Sequence, residues 1–139
     1  MAGRKADPLA TLRTRSETQI IRAILDALRS VQAVTVWRNN TGAVTVPARD
    51  GRARRFVRYG ERGMADIIGW KTWRDPVFTG PVVAQFVALE VKRPSKHVVK
   101  GVTPDQAAFL HRVRAAGGIA AVVTSVDEAL AAVMTVTPR

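Results

Sequence analysis

The sequence predicts a mixed α/β domain, in which a sheet of antiparallel and parallel strands is flanked by helices. Apolar residues recur with helical spacing near both ends of the chain, and several β-rich segments lie between these two regions. The C-terminal part has the order strand, helix, strand, which implies a right-handed parallel crossover. We therefore expect the order helix, antiparallel strands, helix, parallel strand, helix.

Length and composition limit the class of protein. With 139 residues, of which 47% are apolar and 24% charged, the chain suits one domain. Residues 1–15 lack apolar periodicity and are predicted to be a basic, flexible arm that precedes a single domain at 16–139. The absence of cysteine excludes disulfides and thiolate-bound metals. No apolar stretch approaches the ~20 residues of a membrane span, and no export leader is visible, which predicts a cytoplasmic protein without membrane contact.

The first helix is predicted to begin directly after Ser16. Ser16 and Gln19 have the spacing of a capping box, in which two side chains bind the free backbone N–H groups of the first turn. The following residues place an apolar stripe on one helical face, formed by Ile20, Ile21, Ile24, Leu28 and Val31. A stripe of this kind indicates a helix that packs on a core.

Four strand-like segments follow the first helix. "AVTVWR" is predicted as a strand, and "VTVPARDGRARRFVRY" as a basic hairpin, because the pair Asp50-Gly51 is a strong turn signal. "MADIIGW" and "VVAQFVALEV" are two further strands, with a Pro- and Gly-containing connection between them. Antiparallel pairing of these neighbours is the simplest arrangement.

The tryptophans have no assigned role in this scheme. Trp37 and Trp70 fall within predicted strands and are expected to pack in or near the core. Trp73 falls in the connection after the third strand-like segment, where it is expected to be a loop residue.

The C-terminal third begins with a helix that carries every local signal of its ends. Thr103 is the predicted N-cap, Pro104 occupies the first helical position, Gln106 completes a capping box, and Gly117 ends the helix. "IAAVVTS" is a continuously apolar strand, which is typical of burial on both faces. Ser125 with Glu128 then caps a last helix.

The charge balance points to a polyanionic partner. Twenty-two Lys and Arg residues against eleven Asp and Glu residues give a net charge of +11, with a pI near 11.5. The alternative is that the protein is simply basic, but clustering favours nucleic acid. The clusters are Arg49, Arg52, Arg54, Arg55, Arg58 and Arg62 in one segment, and Arg93, Lys96 and Lys100 in another.

Two carboxylates and a lysine form a candidate catalytic set. On a strand, Glu90 and Lys92 share the face that carries Phe86 and Ala88, and Asp66 has the same kind of position in the preceding strand. If the two strands pair, the carboxylates can bind one Mg²⁺, which prefers oxygen ligands. Lys92 would then orient or deprotonate an attacking water, or stabilise charge on a phosphate oxygen.

A solvated Glu-x-Lys pair on an open sheet face is the competing interpretation. Three residues favour catalysis instead. Asp66 lies in an apolar strand, where an unpaired carboxylate is costly to bury. Glu17 aligns with the apolar stripe of the first helix, and Gln106 aligns with the apolar face of its helix, although capping competes for Gln106.

These residues resemble the motif set of the PD-(D/E)xK nuclease superfamily, and most closely its VRR-NUC (virus-type replication-repair nuclease) branch. The resemblance covers Ser16 to about Val133 and rests on "RNNTGAV", "ERGMADIIG", "ALEVKRP" and "TPDQAAFLHRVRAAGGIAAVVTS". One position departs from the pattern, because the residue before Asp66 is Ala65 where the family usually has proline.

The resemblance implies a restriction-endonuclease-like αβββαβ core with a divalent-metal site. Asp66, Glu90 and the carbonyl of Val91 would bind Mg²⁺ or Mn²⁺, and Lys92 would be the catalytic lysine. Glu17 and Gln106 would support the site. Asn39 or Asn40, with Gly42, would lie near the DNA. Independently of the resemblance, their clustered charge makes the following basic residues expected DNA contacts: Arg52, Arg54, Arg55, Arg58, Arg93, Lys96 and Lys100.

The resulting hypothesis is a metal-dependent DNA endonuclease. The chain resembles small single-domain members of this branch, which are phage-encoded homodimers that act on branched DNA such as four-way junctions. A partner subunit would suit the apolar patch formed by Val77, Phe78, Val82 and Val83. A non-catalytic DNA-binding module on the same fold is the alternative. An RNA-binding protein is disfavoured, because no aromatic stacking motif of the RNA-recognition type is visible.

Overall fold

The structure is a computed structural model that describes residues 15–47, 49–51, 54–73, 81–95 and 101–135. Its helices are α1 (Glu17–Arg29), α2 (Pro104–Ala115) and α3 (Val126–Met134). Its strands are β1 (Val34–Arg38), β2 (Gly42–Pro47), β3 (Arg54–Tyr59), β4 (Ile67–Trp73), β5 (Val83–Val91) and β6 (Ile119–Val123). Nearly all of the predicted N-terminal arm lies outside the described residues.

Four of these strands form one mixed sheet in the order β1-β4-β5-β6. Strand β4 pairs antiparallel with both β1 and β5, whereas β5 and β6 are parallel and are joined through α2. The predicted α/β fold with a mixed sheet is therefore confirmed. The pairing of β1 differs from the simplest expectation, because β1 pairs with β4 and not with the hairpin that follows it in sequence.

The predicted basic hairpin forms a separate two-stranded sheet of β2 and β3. Gly51 in the connecting loop has φ = +69°, a conformation that glycine adopts without strain. Because side chains alternate along a strand, Arg54, Phe56 and Arg58 share one face of the hairpin, and the Arg58 guanidinium lies 5.6 Å from the centre of the Phe56 ring. Arg55 lies on the opposite face.

The hydrophobic core is divided by the main sheet into two layers. On one face, α1 and α3 pack on alternate residues of the central strands, including Ile67, Val87 and Leu89. On the other face, called the α2 face below, Phe109 and Leu110 of α2 pack on other core residues, which are Ala65, Ile68 and Ala88. Helices thus flank the sheet on both sides, as expected. None of the helices in the described ranges has the length and apolar character needed to cross a membrane.

The helix ends follow the local signals of the sequence. Ser16 and Thr103 each form a complete capping box, with Gln19 and Gln106 respectively as the third residue. Gly117 follows the end of α2 with φ = +85°. These contacts fix where each helix begins and ends without help from distant residues.

The tryptophans do not occupy the predicted positions. Trp37 and Trp70 retain 42% and 39% of their surface, and they contact each other edge to face with ring centres 5.6 Å apart. Trp73 is the last residue of β4 and not a loop residue. The prediction of core packing was wrong, because the α2 helix covers only part of this sheet face.

Candidate active site

Two carboxylates meet where β4 begins and β5 ends. Ile67 pairs with Leu89, so Asp66, the residue before β4, lies opposite Glu90. The Asp66 side chain is held in place by the backbone, because its Oδ2 accepts a hydrogen bond of 2.8 Å from the Val91 N–H. The antiparallel register therefore brings together two residues that are separated by 23 intervening positions.

Glu90 is the central residue of this site. It is only 1% exposed, and its Oε1 accepts hydrogen bonds from Lys92 Nζ at 2.7 Å and from Gln106 Nε2 at 2.5 Å. Its second oxygen, Oε2, is buried and has no hydrogen-bond partner. Buried polar atoms without a partner are rare, so this oxygen is in position to accept a ligand that is not a protein group.

Gln106 performs both of the roles that the sequence left as alternatives. Its Oε1 accepts a hydrogen bond from the Thr103 N–H at 2.9 Å, which completes the capping box. Its Nε2 donates to Glu90. A primary amide has an acceptor and a donor end, so capping fixes the side chain while the other end reaches the site.

The start of α2 is positioned by close packing against Gly63. Gly63 has φ = +75°, and a Cβ at this position would overlap the backbone of Asp105. Only glycine combines this left-handed conformation with such a close approach. The sequence contains Gly63 within "ERGMAD", but the contact that makes it necessary lies 42 residues further along the chain.

Burial controls the electrostatics of the site. Desolvation raises the pKa of Glu90 from 4.5 to about 7, against the lowering effect of the Lys92 hydrogen bond, and the nearby charge of Asp66 raises it further. Burial alone would lower the pKa of Lys92, but its hydrogen bond to Glu90 and the negative charge of that residue raise it above the usual 10.5. The lysine is therefore a cation throughout the neutral range.

Glu17 contributes from the first turn of α1. Its side chain is half-buried, and its negative charge raises the pKa values of both Glu90 and Lys92. The structure therefore brings Glu17 close enough to act on the site electrostatically, and its supporting role in the site stays a prediction. It forms no hydrogen bond to Glu90 or Lys92.

The two asparagines have different environments. The Asn39 amide Nδ2 donates to the Ala65 carbonyl at 3.1 Å, and the Asn39 N–H donates to the Asp66 carbonyl at 2.7 Å. Asn39 thus positions the segment that carries Asp66, and its expected position near the DNA stays a prediction. It also stabilises the backbone at Ala65. Asn40 is exposed.

A groove of about 290 Å³ lies beside the site, between the hairpin and the start of α2. Its lining includes Arg58, Tyr59 and Arg62 from the hairpin side, and Thr103 and Gln106 from α2. Because Gln106 also contacts Glu90, the groove and the carboxylates share one wall. Tyr59 was not identified from the sequence, since only the position of the hairpin places it there.

The basic residues predicted to contact DNA fall into two groups. Arg54, Arg55, Arg58 and Arg93 are exposed and available to a polyanion. Arg52, Lys96 and Lys100 lie outside the described residues.

The site offers a small set of metal ligands. Within the described ranges, no group of three or more His, Cys, Asp or Glu side chains is arranged to hold a metal ion. A cation would therefore depend on Asp66, Glu90, a backbone carbonyl and water, which is a set that Mg²⁺ accepts because it commonly keeps several waters. The partnerless Oε2 of Glu90 fits such a ligand.

A scan against models of known protein families finds no match to the chain, and a search of curated proteins finds none either.

Proposed function

We propose that the chain is a divalent-metal-dependent DNA endonuclease of the VRR-NUC branch of the PD-(D/E)xK superfamily. The observation that carries this proposal is the environment of Glu90. One oxygen of this buried carboxylate is fixed by Lys92 and Gln106, while the other is buried without a hydrogen-bond partner, and the strand register places Asp66 opposite Glu90. A solvated surface pair, the competing interpretation, would leave Glu90 exposed.

Each side chain has a definable task in phosphodiester hydrolysis. Asp66 and Glu90 would hold Mg²⁺ or Mn²⁺, together with the Val91 carbonyl. When bound, the cation supplies Lewis-acid activation of the phosphate and the attacking water. Lys92 carries its ammonium group 2.7 Å from Glu90, where it stabilises negative charge that develops on a phosphate oxygen.

Two residues position this set. Gln106 holds the Glu90 carboxylate through its amide, and the rigid first turn of α2 holds Gln106. Glu17 adds negative charge near the site, which favours a cation there. Both are positioning residues, because neither needs to touch the phosphate.

The groove beside the site provides a path for the DNA backbone. Arg58 and Arg62 line it, and Gln106 connects it to the carboxylates. Exposed arginines on the hairpin extend the positive surface. With a net charge of +11, the chain attracts DNA through phosphate contacts that do not depend on base sequence.

The direct test is cleavage of supercoiled plasmid in Mg²⁺ or Mn²⁺, with and without chelator. Asp66→Ala is expected to abolish cleavage while DNA binding in chelator remains, because loss of a ligand removes the cation and not the basic surface. Asp127→Asn, which removes an exposed carboxylate from α3, is the matched control and should cleave like the parent. Cleavage that survives both chelator and Asp66→Ala would contradict the proposal.

Binding without cleavage by the parent chain would instead support the non-catalytic DNA-binding module. Intact Asp66, Glu90 and Lys92 argue for the enzyme, since a module that only binds DNA needs the arginines alone.

We also propose that the enzyme is a homodimer that acts on branched DNA in the cytoplasm. Two symmetric cuts require two active sites, and an isologous pair of subunits supplies them. Val82 and Val83 of the predicted patch are 48% and 39% exposed, whereas Val77 and Phe78 lie outside the described residues. Light scattering at micromolar concentration measures the mass, and a monomer that cuts linear and four-way DNA equally would contradict this part of the proposal.

A further inference from the structure

Three large aromatic side chains lie exposed on the same sheet face as the candidate active site. Trp37, Trp70 and Phe86 retain 42%, 39% and 41% of their surface. They come from the neighbouring strands β1, β4 and β5 and are called the aromatic platform below. Large exposed aromatic groups on a single face indicate a surface that a partner covers.

The strand register places the platform beside the carboxylates. Trp37 pairs with Ile68, and Ile68 pairs with Ala88, so these residues form the row next to Asp66 and Glu90. Trp70 pairs with Phe86 and forms the row beyond. At a rise of ~3.3 Å per residue, the two rows lie roughly 7 and 13 Å from the carboxylates along the strands.

The α2 helix covers the first of these rows only in part. Phe109 and Leu110 pack on Ile68 and Ala88, and the platform residues remain exposed beside them. Trp37 and Trp70 contact each other edge to face, at an angle of 71° between their rings. Each ring therefore supports the other while part of its surface stays open.

Charge indicates what kind of partner fits this face. Thr35 pairs with Trp70, the next row on this face pairs Thr72 with Ala84, and none of these residues is acidic. The chain as a whole carries +11, and Arg58 and Arg62 line the groove that Gln106 also lines. A polyanion with flat apolar groups matches both properties, whereas the proposed dimer contact lies at the separate patch that contains Val82 and Val83.

We propose that the aromatic platform binds unpaired nucleotides of the DNA strand that adjoins the scissile phosphate. The inference rests on the proposed nuclease function and narrows its substrate class. Bases within a duplex stack on each other and hide their faces, so only an unpaired base can stack on an indole or phenyl ring. The preferred substrate therefore has a single-stranded stretch next to the cleavage position.

The test measures binding of fluorescein-labelled oligonucleotides in chelator by fluorescence anisotropy. It uses the Asp66→Ala chain, so that no cleavage occurs. Trp37→Ala and Trp70→Ala are each expected to weaken binding of single-stranded oligo-dT by roughly tenfold, since stacking contributes about 1–3 kcal/mol per base. Binding of a fully paired hairpin duplex should change less than twofold.

Trp73 provides the matched control. It lies at an odd number of residues from Trp70 on the same strand, so it belongs to the opposite sheet face, and it is 37% exposed. Trp73→Ala should leave oligo-dT binding unchanged. Trp37→Leu and Trp70→Leu keep an apolar side chain but remove the ring, so they should lose oligo-dT affinity as the Ala variants do, and they keep the test valid if an Ala variant fails to fold.

Three results would overturn the inference. The first is unchanged oligo-dT affinity in the folded Ala or Leu variants of both Trp37 and Trp70. The second is an equal loss for oligo-dT and duplex. The third is a halved mass of Trp70→Ala in light scattering, which would assign the face to a second copy of the chain.

The inference and the proposed function fail separately. If the parent chain cleaves DNA but the platform variants bind oligo-dT normally, only the inference is wrong. If the parent never cleaves but the platform variants lose single-strand affinity, the nuclease proposal is wrong and the platform remains a binding surface.

Discussion

Glu90→Gln is expected to remove a large part of the pH dependence of folding stability. Burial raises the pKa of Glu90 from 4.5 to about 7 in the folded chain. Between these values the unfolded chain loses the Glu90 proton while the folded chain keeps it, so the free energy of unfolding falls as pH rises. At ~1.4 kcal/mol for each tenfold change in the ionisation constant, the parent loses about 3 kcal/mol across this range.

The neighbouring lysine does not disturb this prediction. The pKa of Lys92 is raised above 10.5, so its stabilising interaction is fully present below that pH and is lost only as pH rises through the higher folded value. It therefore stays charged in both states between pH 4.5 and 8. Gln at position 90 keeps an oxygen that accepts hydrogen bonds from Lys92 and Gln106, but it cannot ionise.

The assay is urea unfolding followed by circular dichroism at several pH values between 4.5 and 8, in chelator. The difference in free energy of unfolding between Glu90→Gln and the parent should shift by about 3 kcal/mol in favour of the variant as pH rises. Asp127→Asn removes an exposed carboxylate far along the chain and serves as the control. If the free energies of unfolding of the parent and Glu90→Gln change in parallel over this range, the argument that burial raises the pKa of Glu90 is refuted.

Three further predictions concern the site and the hairpin. Lys92→Met should lower single-turnover cleavage by about 10²–10³-fold with little change in DNA affinity, and a parent-like rate would show that the ammonium has no catalytic part. Gly63→Ala should lower the free energy of unfolding by at least about 1–3 kcal/mol, measured by thermal unfolding. The control, Gly51→Ala, has a similar positive φ but open space for a Cβ, so it should lower the free energy of unfolding less. Equal losses in the two variants would exclude the proposed contact between Gly63 and α2. Replacing Arg54 and Arg58 with Ala should reduce the salt dependence of DNA binding by about two units of log–log slope, and an unchanged slope would place the DNA elsewhere.

The capping signals show how local information specifies the secondary structure. Ser16 and Thr103 begin helices where the sequence predicted, because a cap involves residues only three positions apart. The apolar stripe of α1 and the alternation along β5 likewise follow from the fixed periods of helix and strand. The predicted α/β fold with a mixed sheet rested on these local patterns.

The tryptophans show where the same method failed. A strand pattern places Trp37 and Trp70 on a face, but it does not reveal how far a helix on that face extends. The α2 helix packs over Ile68 and Ala88 and leaves the aromatic platform exposed. Burial of a residue on a sheet depends on the partner element, which is distant in sequence.

The sequence alone determined which residues carry the candidate chemistry, because residue type and strand alternation place Glu90 and Lys92 on one face. Only the tertiary structure decided that Asp66 lies opposite Glu90, that Gln106 both caps α2 and binds this carboxylate, and that Glu90 Oε2 has no partner. The physical reason is the range of the interactions. Alternation and capping act over two to four residues, whereas register, desolvation and close packing join segments from four separate parts of the chain.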